Sequence, residues 1–193
     1  MIKKFFEILE EPRTFFEKTE KEGWKEPFIF FLKITIMIAI LTSIINYLGI
    51  ESTDFSSAYQ AQIMGYRAIR NYFVPRYGPI AYFIEPFLIT IFAILILICT
   101  TLFLHAIIKL AGGQGSFLNA WKSVCYGVAP CLLGGFIPYF SLFVGFWSLV
   151  IQLYIAPIVL YKLKEWKAII LVSAMITLTF IELFLRGTTV NFY

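Results

Sequence analysis

Five long apolar runs divide the chain, and short polar segments separate them. The runs cover residues 28–49, 80–110, 117–140, 142–161 and 168–185. A helix that crosses a bilayer needs about 20 apolar residues, so four of the runs have the length of one crossing. The second run is longer, and we expect Pro86 to divide it into a short interfacial segment and a true span. The pattern predicts an all-α polytopic membrane protein with five transmembrane helices.

Composition strengthens this prediction. The chain has 193 residues, of which 60% are hydrophobic and 15% are charged, and its mean hydropathy is +0.80. A soluble domain carries about a quarter charged residues, so we expect an integral membrane protein in contact with the lipid bilayer. The net charge of +4 is small and dispersed, which argues against a nucleic-acid partner because such partners need clustered basic residues.

The N-terminal segment, residues 1–27, has an amphipathic pattern. We expect a first helix that ends at Pro12, followed by a short helix that a Thr14–Glu17 capping box begins. Two arrangements fit the pattern equally well. The helices either lie flat on the lipid surface or pack on the loops of the protein. The apolar side chains at helical spacing are Ile2, Phe5, Phe6 and Leu9, with Phe15 and Phe16 in the second helix.

A second amphipathic pattern lies in the loop between the first two spans, residues 50–79. Its aromatic and aliphatic residues recur at helical spacing beside two arginines. We expect a helix on the outer surface or a lid over the mouth of the bundle. The residues that carry the pattern are Tyr59, Ile63, Tyr66 and Phe73, with Arg67 and Arg70.

Lysine and arginine are distributed unevenly over the two sides of the predicted helices. Ten lie in the N-terminal segment or in the loops after the second and fourth spans, and four lie on the opposite side. The positive-inside rule therefore predicts a multi-pass protein of the cell membrane with its N-terminus in the cytoplasm and its C-terminus outside. Lys122 lies just inside the third span and is expected to extend its amine toward the cytoplasmic face. The ten are Lys3, Lys4, Arg13, Lys18, Lys21, Lys25, Lys109, Lys162, Lys164 and Lys167; the four are Arg67, Arg70, Arg76 and Arg186.

Three glycines, Gly112, Gly113 and Gly115, separate the second and third runs. A Walker-type phosphate loop requires a lysine after the last glycine, and here Ser116 and Phe117 follow instead. A dinucleotide fingerprint requires a preceding strand, which the pattern does not predict. We therefore expect a tight helical hairpin, in which a left-handed glycine closes the second helix and Ser116 caps the third.

The third run carries a stripe of small residues. Ala120, Gly127 and Gly134 recur every seven positions, and Cys131 lies on the same face. Small residues allow a neighbouring helix to approach closely, so the first interpretation is a packing seam. The second interpretation is a bendable central helix, since two prolines in the run are expected to kink it as in transporters.

Residues 112–138, GGQGSFLNAWKSVCYGVAPCLLGGFIP, resemble the motif of the Yip family, the Ypt/Rab-interacting membrane proteins with a Yip-one domain. Members of that family carry a double glycine, a Gly-Ser-Phe turn, a helix with Tyr-Gly-x-x-Pro and a Gly-x-x-Pro exit. The early Pro12, Phe15 and Phe16 are similar to prokaryotic members. The matching positions of the central motif are Gly112, Gly113, Gly115, Ser116, Phe117, Tyr126, Gly127, Pro130 and Pro138.

The resemblance implies a five-span membrane protein involved in membrane organisation, scaffolding or trafficking. It also implies contact with other membrane proteins or self-association. Eukaryotic relatives carry a long polar N-terminal region, whereas only residues 1–27 precede the first span here. We therefore expect a prokaryotic-type member and do not expect it to bind GTPases.

The sequence offers little for catalysis. His105 is the only histidine and Asp54, in the external loop, is the only aspartate, so we expect no catalytic centre, metal site or cofactor. Ionisable and amide side chains within spans are the candidates for a polar intramembrane site. For Glu182 the alternative is a structural pair with Arg186. The alternative function is a small-solute or ion permease built around the kinked third helix. The candidates are Glu85, Glu182, Asn46, Gln152 and His105.

Overall fold

The computed structural model describes residues 2–48, 72–134 and 140–189. These residues are helical apart from the turns that connect the helices. A single 3₁₀ turn, Gly78–Ile80, precedes the longest helix, and a π-helical segment, Ile151–Ile155, interrupts the fourth run. The α-helices are α1 (Ile2–Glu10), α2 (Pro12–Thr19), α3 (Lys25–Tyr47), α4 (Val74–Tyr77), α5 (Ala81–Leu110), α6 (Phe117–Gly127), α7 (Ala129–Gly134), α8 (Phe140–Val150), α9 (Ala156–Tyr161) and α10 (Glu165–Thr189).

Among the residues that the structure describes, three stretches are long and apolar enough to cross a membrane: Lys25–Ile45, Val74–Leu110 and Phe143–Tyr161. They correspond to the first, second and fourth runs of the sequence. The fifth run forms most of α10. The third run forms α6 and α7, which are separated at Val128, and the continuation of the run through Pro138 lies outside the described residues.

Helix α5 corrects the prediction for Pro86. It runs for 30 residues from Ala81 to Leu110 with Pro86 inside it, so the proline does not divide the run. Pro86 lies in the second turn, where it removes one backbone hydrogen bond, and the helix continues on both sides of it, as transmembrane helices tolerate proline. The Pro86 carbonyl accepts a hydrogen bond from the Thr90 hydroxyl at 2.7 Å. At about 1.5 Å per residue, α5 is longer than the hydrocarbon core is thick.

The two N-terminal helices pack on the protein itself. Ile8 and Phe16 are fully buried, and Phe15 is 2% exposed, in contact with side chains of the spanning helices. Helix α1 contacts α7, and α2 contacts α9 and the π-helical segment. The structure therefore shows the second of the two predicted arrangements, in which these side chains pack on the protein. The contacts are to helices and not only to loops.

The start of α2 differs from the predicted capping box. Helix α1 ends at Glu10, as expected before Pro12, but α2 begins at Pro12 itself, with Glu11 as its N-cap. Thr14 is therefore inside the helix, and its hydroxyl bonds back to the carbonyl and carboxylate of Glu11, both at 2.9 Å. Proline suits the first helical position because its missing N–H has no intrahelical partner there.

The loop before α4 was expected to form an amphipathic helix or lid. Tyr59, Ile63, Tyr66, Arg67 and Arg70 lie outside the described residues. Phe73 is described, and its ring stacks on Tyr77 of α4 with centroids 6.1 Å apart.

Candidate functional site

The glycine turn forms a helical hairpin, as the sequence predicted. Helix α5 ends at Leu110, and Gly112 adopts a left-handed conformation with a φ of +90°. The N–H of Gly113 then donates to the Ile108 carbonyl at 2.9 Å, which satisfies a carbonyl at the end of α5. Ser116 occupies the N-cap position of α6 with an extended backbone, although its hydroxyl makes no capping hydrogen bond.

The turn packs against Tyr161 at the end of α9. The Gln114 N–H donates to the Tyr161 carbonyl at 2.9 Å. A Cβ at Gly115 would lie 2.7 Å from the Tyr161 ring, and one at Gly113 would lie 3.1 Å from it. These two glycines therefore allow the backbone to approach an aromatic ring that is fully buried. The glycine cluster serves helix packing here.

His105 joins the same assembly. Its Nδ1 lies 2.6 Å from the Tyr161 hydroxyl, and its ring meets that of Phe117 edge to face, with centroids 5.8 Å apart. Lys167, at the start of α10, donates to the Ala111 carbonyl at 2.6 Å. The ends of α5 and α9 and the starts of α6 and α10 thus meet at one end of the bundle.

We call this end the base: it comprises α1, α2, the turns at residues 20–24, 111–116 and 162–164, and the helix ends that these turns join. The Lys162 amine forms an ion pair with the Glu20 carboxylate at 3.2 Å, which joins two of these turns. The Trp121 indole of α6 donates to the Trp24 carbonyl at 3.1 Å. Contacts between distant parts of the sequence therefore build the base as one surface.

Tyr126 of α6 contacts the N-terminal part of the base. It is fully buried, and the rings of Phe15 and Phe30 pack on it with centroids 4.9 and 5.2 Å away. Its hydroxyl donates to the Glu22 carboxylate. The Lys4 amine lies 2.8 Å from that carboxylate and 3.3 Å from the hydroxyl. Tyr126 of the family-like motif thus holds the N-terminal helices through both its ring and its polar end.

Lys122, one turn before Tyr126, is only 1% exposed. Its amine donates to the Glu20 carbonyl at 2.8 Å. The sequence predicted that this side chain extends toward the cytoplasmic face, and the amine reaches the turn that follows α2. Burial of an ammonium group is costly unless it is hydrogen-bonded, so this contact helps to fix α2 on α6.

The small-residue stripe of the third run lies against the fourth. A Cβ at Gly127 would overlap the side chain of Gln152 and lie 3.3 Å from Ile151. Ala120 is fully buried. The Cys131 N–H donates to the Ser148 hydroxyl at 3.0 Å. For these residues the packing interpretation is confirmed; the packing of Gly134 and the whole of Pro138 lie outside the described part of the structure.

The fourth run is also irregular where it meets this stripe. The π-helical segment Ile151–Ile155 lies opposite Gly127, and the Gln152 carbonyl accepts a hydrogen bond from the Ser123 hydroxyl at 3.3 Å. Pro157 follows directly at the start of α9 and lacks an N–H. Short π segments are often found at functional sites. The sequence analysis did not predict this π-helical segment. Pro157, which lacks an N–H, was the signal that the sequence offered for it.

The predicted polar candidates do not form one cluster among the described residues. Glu85 is 1% exposed near the start of α5, whereas His105 is 20 positions later at the base, about 30 Å along a continuous helix. Gln152 lies against Gly127. The side chains of Asn46 and Glu182 lie outside the described part of the structure. Within the described ranges, no group of three or more His, Cys, Asp or Glu residues is arranged to hold a metal ion.

Comparison with protein families identifies the domain of this chain. The family model of the Yip1 domain matches residues 6–185. Neither the curated proteins nor the solved structures include a match to the chain. The matched range covers α2 and the three stretches long and apolar enough to cross a membrane, as well as the central glycine turn and Tyr126, and the chain belongs to the Yip1 domain family.

Proposed function

We propose that this Yip1 domain protein organises or scaffolds other membrane proteins in a trafficking-type role and has no enzymatic activity or cofactor. Membership of the family supports the role. The single observation that carries it is the construction of the base. Two N-terminal helices, held by Tyr126, Lys122 and Glu22, belong to the folded core and form a surface at one end of the bundle.

The outer side of the base retains apolar side chains. Ile2 and Phe6 on α1 are 69% and 51% exposed, on the side of the helix away from the fully buried Ile8. Contiguous exposed apolar groups mark sites of contact with proteins or with the membrane. We propose that this side of α1 contacts another membrane protein or a second copy of the chain.

Site-specific photo-crosslinking in intact membranes tests this proposal. A photoreactive phenylalanine analogue replaces Phe6 in one variant and the buried Phe16 in a matched control. We expect adducts with other proteins, or with a second copy, from position 6, and only adducts within the chain from position 16. Adducts of position 6 with lipid alone would contradict a scaffolding contact at α1.

The proposal includes five spans, with the N-terminus in the cytoplasm and the C-terminus outside the cell. The ten-to-four excess of Lys and Arg on the N-terminal side supports this orientation. A cysteine added after Phe192, in a chain otherwise without cysteine, should react with an impermeant thiol reagent on intact cells. Reaction only after lysis would place the C-terminus in the cytoplasm, so that either the orientation or the number of crossings in the proposal would be wrong.

A small-solute or ion permease is the second candidate, and one observation favours it. The interruption of the third run at Val128 and the π-helical segment of the fourth lie side by side, with Gln152 against Gly127. Irregular helices in contact line the binding sites of many transporters. With the native cysteines replaced, Gln152→Cys should react with a small water-soluble thiol reagent in a permease and should stay unreactive in a scaffold.

A further inference from the structure

A second surface of the base carries unbalanced positive charge next to exposed apolar groups. We call it the lysine–tryptophan patch; it consists of Lys109, Leu110, Lys164, Trp166 and Lys167. The end of α5 and the start of α10 meet here, because the Lys167 amine donates to the Ala111 carbonyl at 2.6 Å. Lys164 is adjacent, since its carbonyl accepts the Lys167 N–H at 3.0 Å.

The charges of this patch differ from those of the N-terminal helices. Among the described residues, the side-chain ion pairs involve Lys3, Lys4, Arg13 and Lys162. Lys109 and Lys164 are exposed and are not part of these pairs. Glu165 is the one carboxylate among residues 164–167. The patch therefore presents net positive charge to its surroundings.

The apolar members of the patch fit a position at the edge of the membrane. Leu110 is 88% exposed at the end of a membrane-spanning stretch, and Trp166 is 57% exposed in the first turn of α10. Tryptophan is enriched at the level of lipid headgroups. The Lys167 amine lies 5.6 Å above the Trp166 ring. The same arrangement recurs at the start of α3, where the Lys25 amine lies 5.9 Å above the ring of Trp24.

We propose that the lysine–tryptophan patch binds the headgroups of anionic phospholipids. Trp166 and Leu110 contact the upper part of the acyl region, and Lys109 and Lys164 contact the phosphates. The positive charge complements an anionic leaflet, and each lysine near such a surface strengthens binding. This inference goes beyond the scaffolding role and stands independently of it, because it concerns lipid and not a protein partner.

Native mass spectrometry of the full chain in mild detergent tests the inference. The chain is titrated separately with phosphatidylglycerol, which is anionic, and phosphatidylcholine, which is zwitterionic. Lys109→Gln/Lys164→Gln removes two charges of the patch and leaves Lys167, which caps α5, unchanged. The matched control, Lys3→Gln/Arg13→Gln, removes two charges from α1 and α2 that are paired with Glu7 and Glu17. The detergent thermal midpoint confirms that each variant is folded.

We expect the unaltered chain to prefer phosphatidylglycerol, and the patch variant to bind it about 25-fold more weakly, at about fivefold per lysine. The control should stay within about twofold, because exposed charges already paired with carboxylates contribute little. The preference should also weaken at high salt. Equal binding of the two lipids, an unchanged patch variant or an equal loss in the control would each overturn the proposal.

Discussion

Helices α5 and α6 are neighbours joined by the glycine turn, yet their surroundings differ. Helix α5 is largely apolar over its 30 residues and few of them are buried, with long side chains such as Phe87 and Phe92 more than half accessible. Helix α6 contains Asn119, Lys122 and Ser123, and most of its residues are buried. The more polar helix is therefore the interior one.

This difference follows from the solvent. Lipid tails are as apolar as leucine, so apolarity does not decide which helix of a membrane bundle is central. Close packing and interhelical hydrogen bonds decide it instead. Helix α6 supplies Gly127 for close approach, and Lys122 and Tyr126 for polar contacts to the N-terminal segment. Changes in α6 should therefore be far more costly than changes of equal size in α5.

The largest effect is expected for Tyr126→Ala. It removes a fully buried ring between Phe15 and Phe30 and leaves the Glu22 carboxylate without its hydroxyl donor. Loss of a buried aromatic side chain costs about 3–5 kcal/mol. Phe92→Ala in α5, where the ring is 61% exposed, is the control. The free energy of unfolding of each variant is measured in mild detergent. An equal loss of stability at both positions would show that α5 and α6 do not differ in their contribution to stability.

The next effect is expected for Gly127→Leu. The new side chain would overlap Gln152 and crowd Ile151, and overpacking costs about 1–3 kcal/mol. Gly145→Leu is the matched control, since a Cβ at Gly145 meets no atom within 4 Å. The detergent thermal midpoint should fall for the first variant and change little for the second. If the two midpoints agree, the stripe is not a packing seam and the permease candidate gains support.

A coupled effect is expected between Gly115 and Tyr161. Gly115→Ala places a Cβ 2.7 Å from the Tyr161 ring and should destabilise the chain by about 1–3 kcal/mol. The same substitution in a Tyr161→Leu background should cost less, because the ring that it strikes is absent. A double-mutant cycle in chemical denaturation measures the coupling, which should exceed about 0.5 kcal/mol. If the losses of stability from the two substitutions are additive, the Tyr161 ring does not require a glycine at position 115.

The smallest effect is expected for Trp121→Phe. This change removes the indole N–H that donates to the Trp24 carbonyl, for a loss of about 0.5–1.5 kcal/mol. Trp24→Phe is the control, because it alters a ring of the same kind and retains the backbone acceptor. Thermal midpoints in detergent should separate the two variants, and a larger loss for Trp24→Phe would show that ring packing outweighs the hydrogen bond.

The sequence predicted features that depend on neighbours along the chain. The hairpin at Gly112 follows from residues within one turn of it, and the seam at Gly127 follows from helical spacing. The interaction of Tyr126 with Glu22 joins positions 104 apart, and periodicity carries no information about such a pair. The sequence also left open whether Phe15 and Phe16 contact lipid or pack on the protein, because an apolar helix face fits either environment.

Two local errors have local causes. At α2, the preference of Pro12 for the first helical position outweighed the Thr14–Glu17 spacing. At α5, Pro86 is near enough to the helix start that the helix continues past it. Both cases show that the position of a proline within a helix matters more than its presence.

The central claim is that α6 holds the N-terminal helices as part of the folded core, and hydrogen–deuterium exchange of the full chain in mild detergent tests it most directly. We expect residues 2–22 to be protected together with α6. In Tyr126→Ala, protection of residues 2–22 should be lost while that of α5 persists. Rapid exchange of residues 2–22 in the unaltered chain, at the rate of a free peptide, would contradict the account.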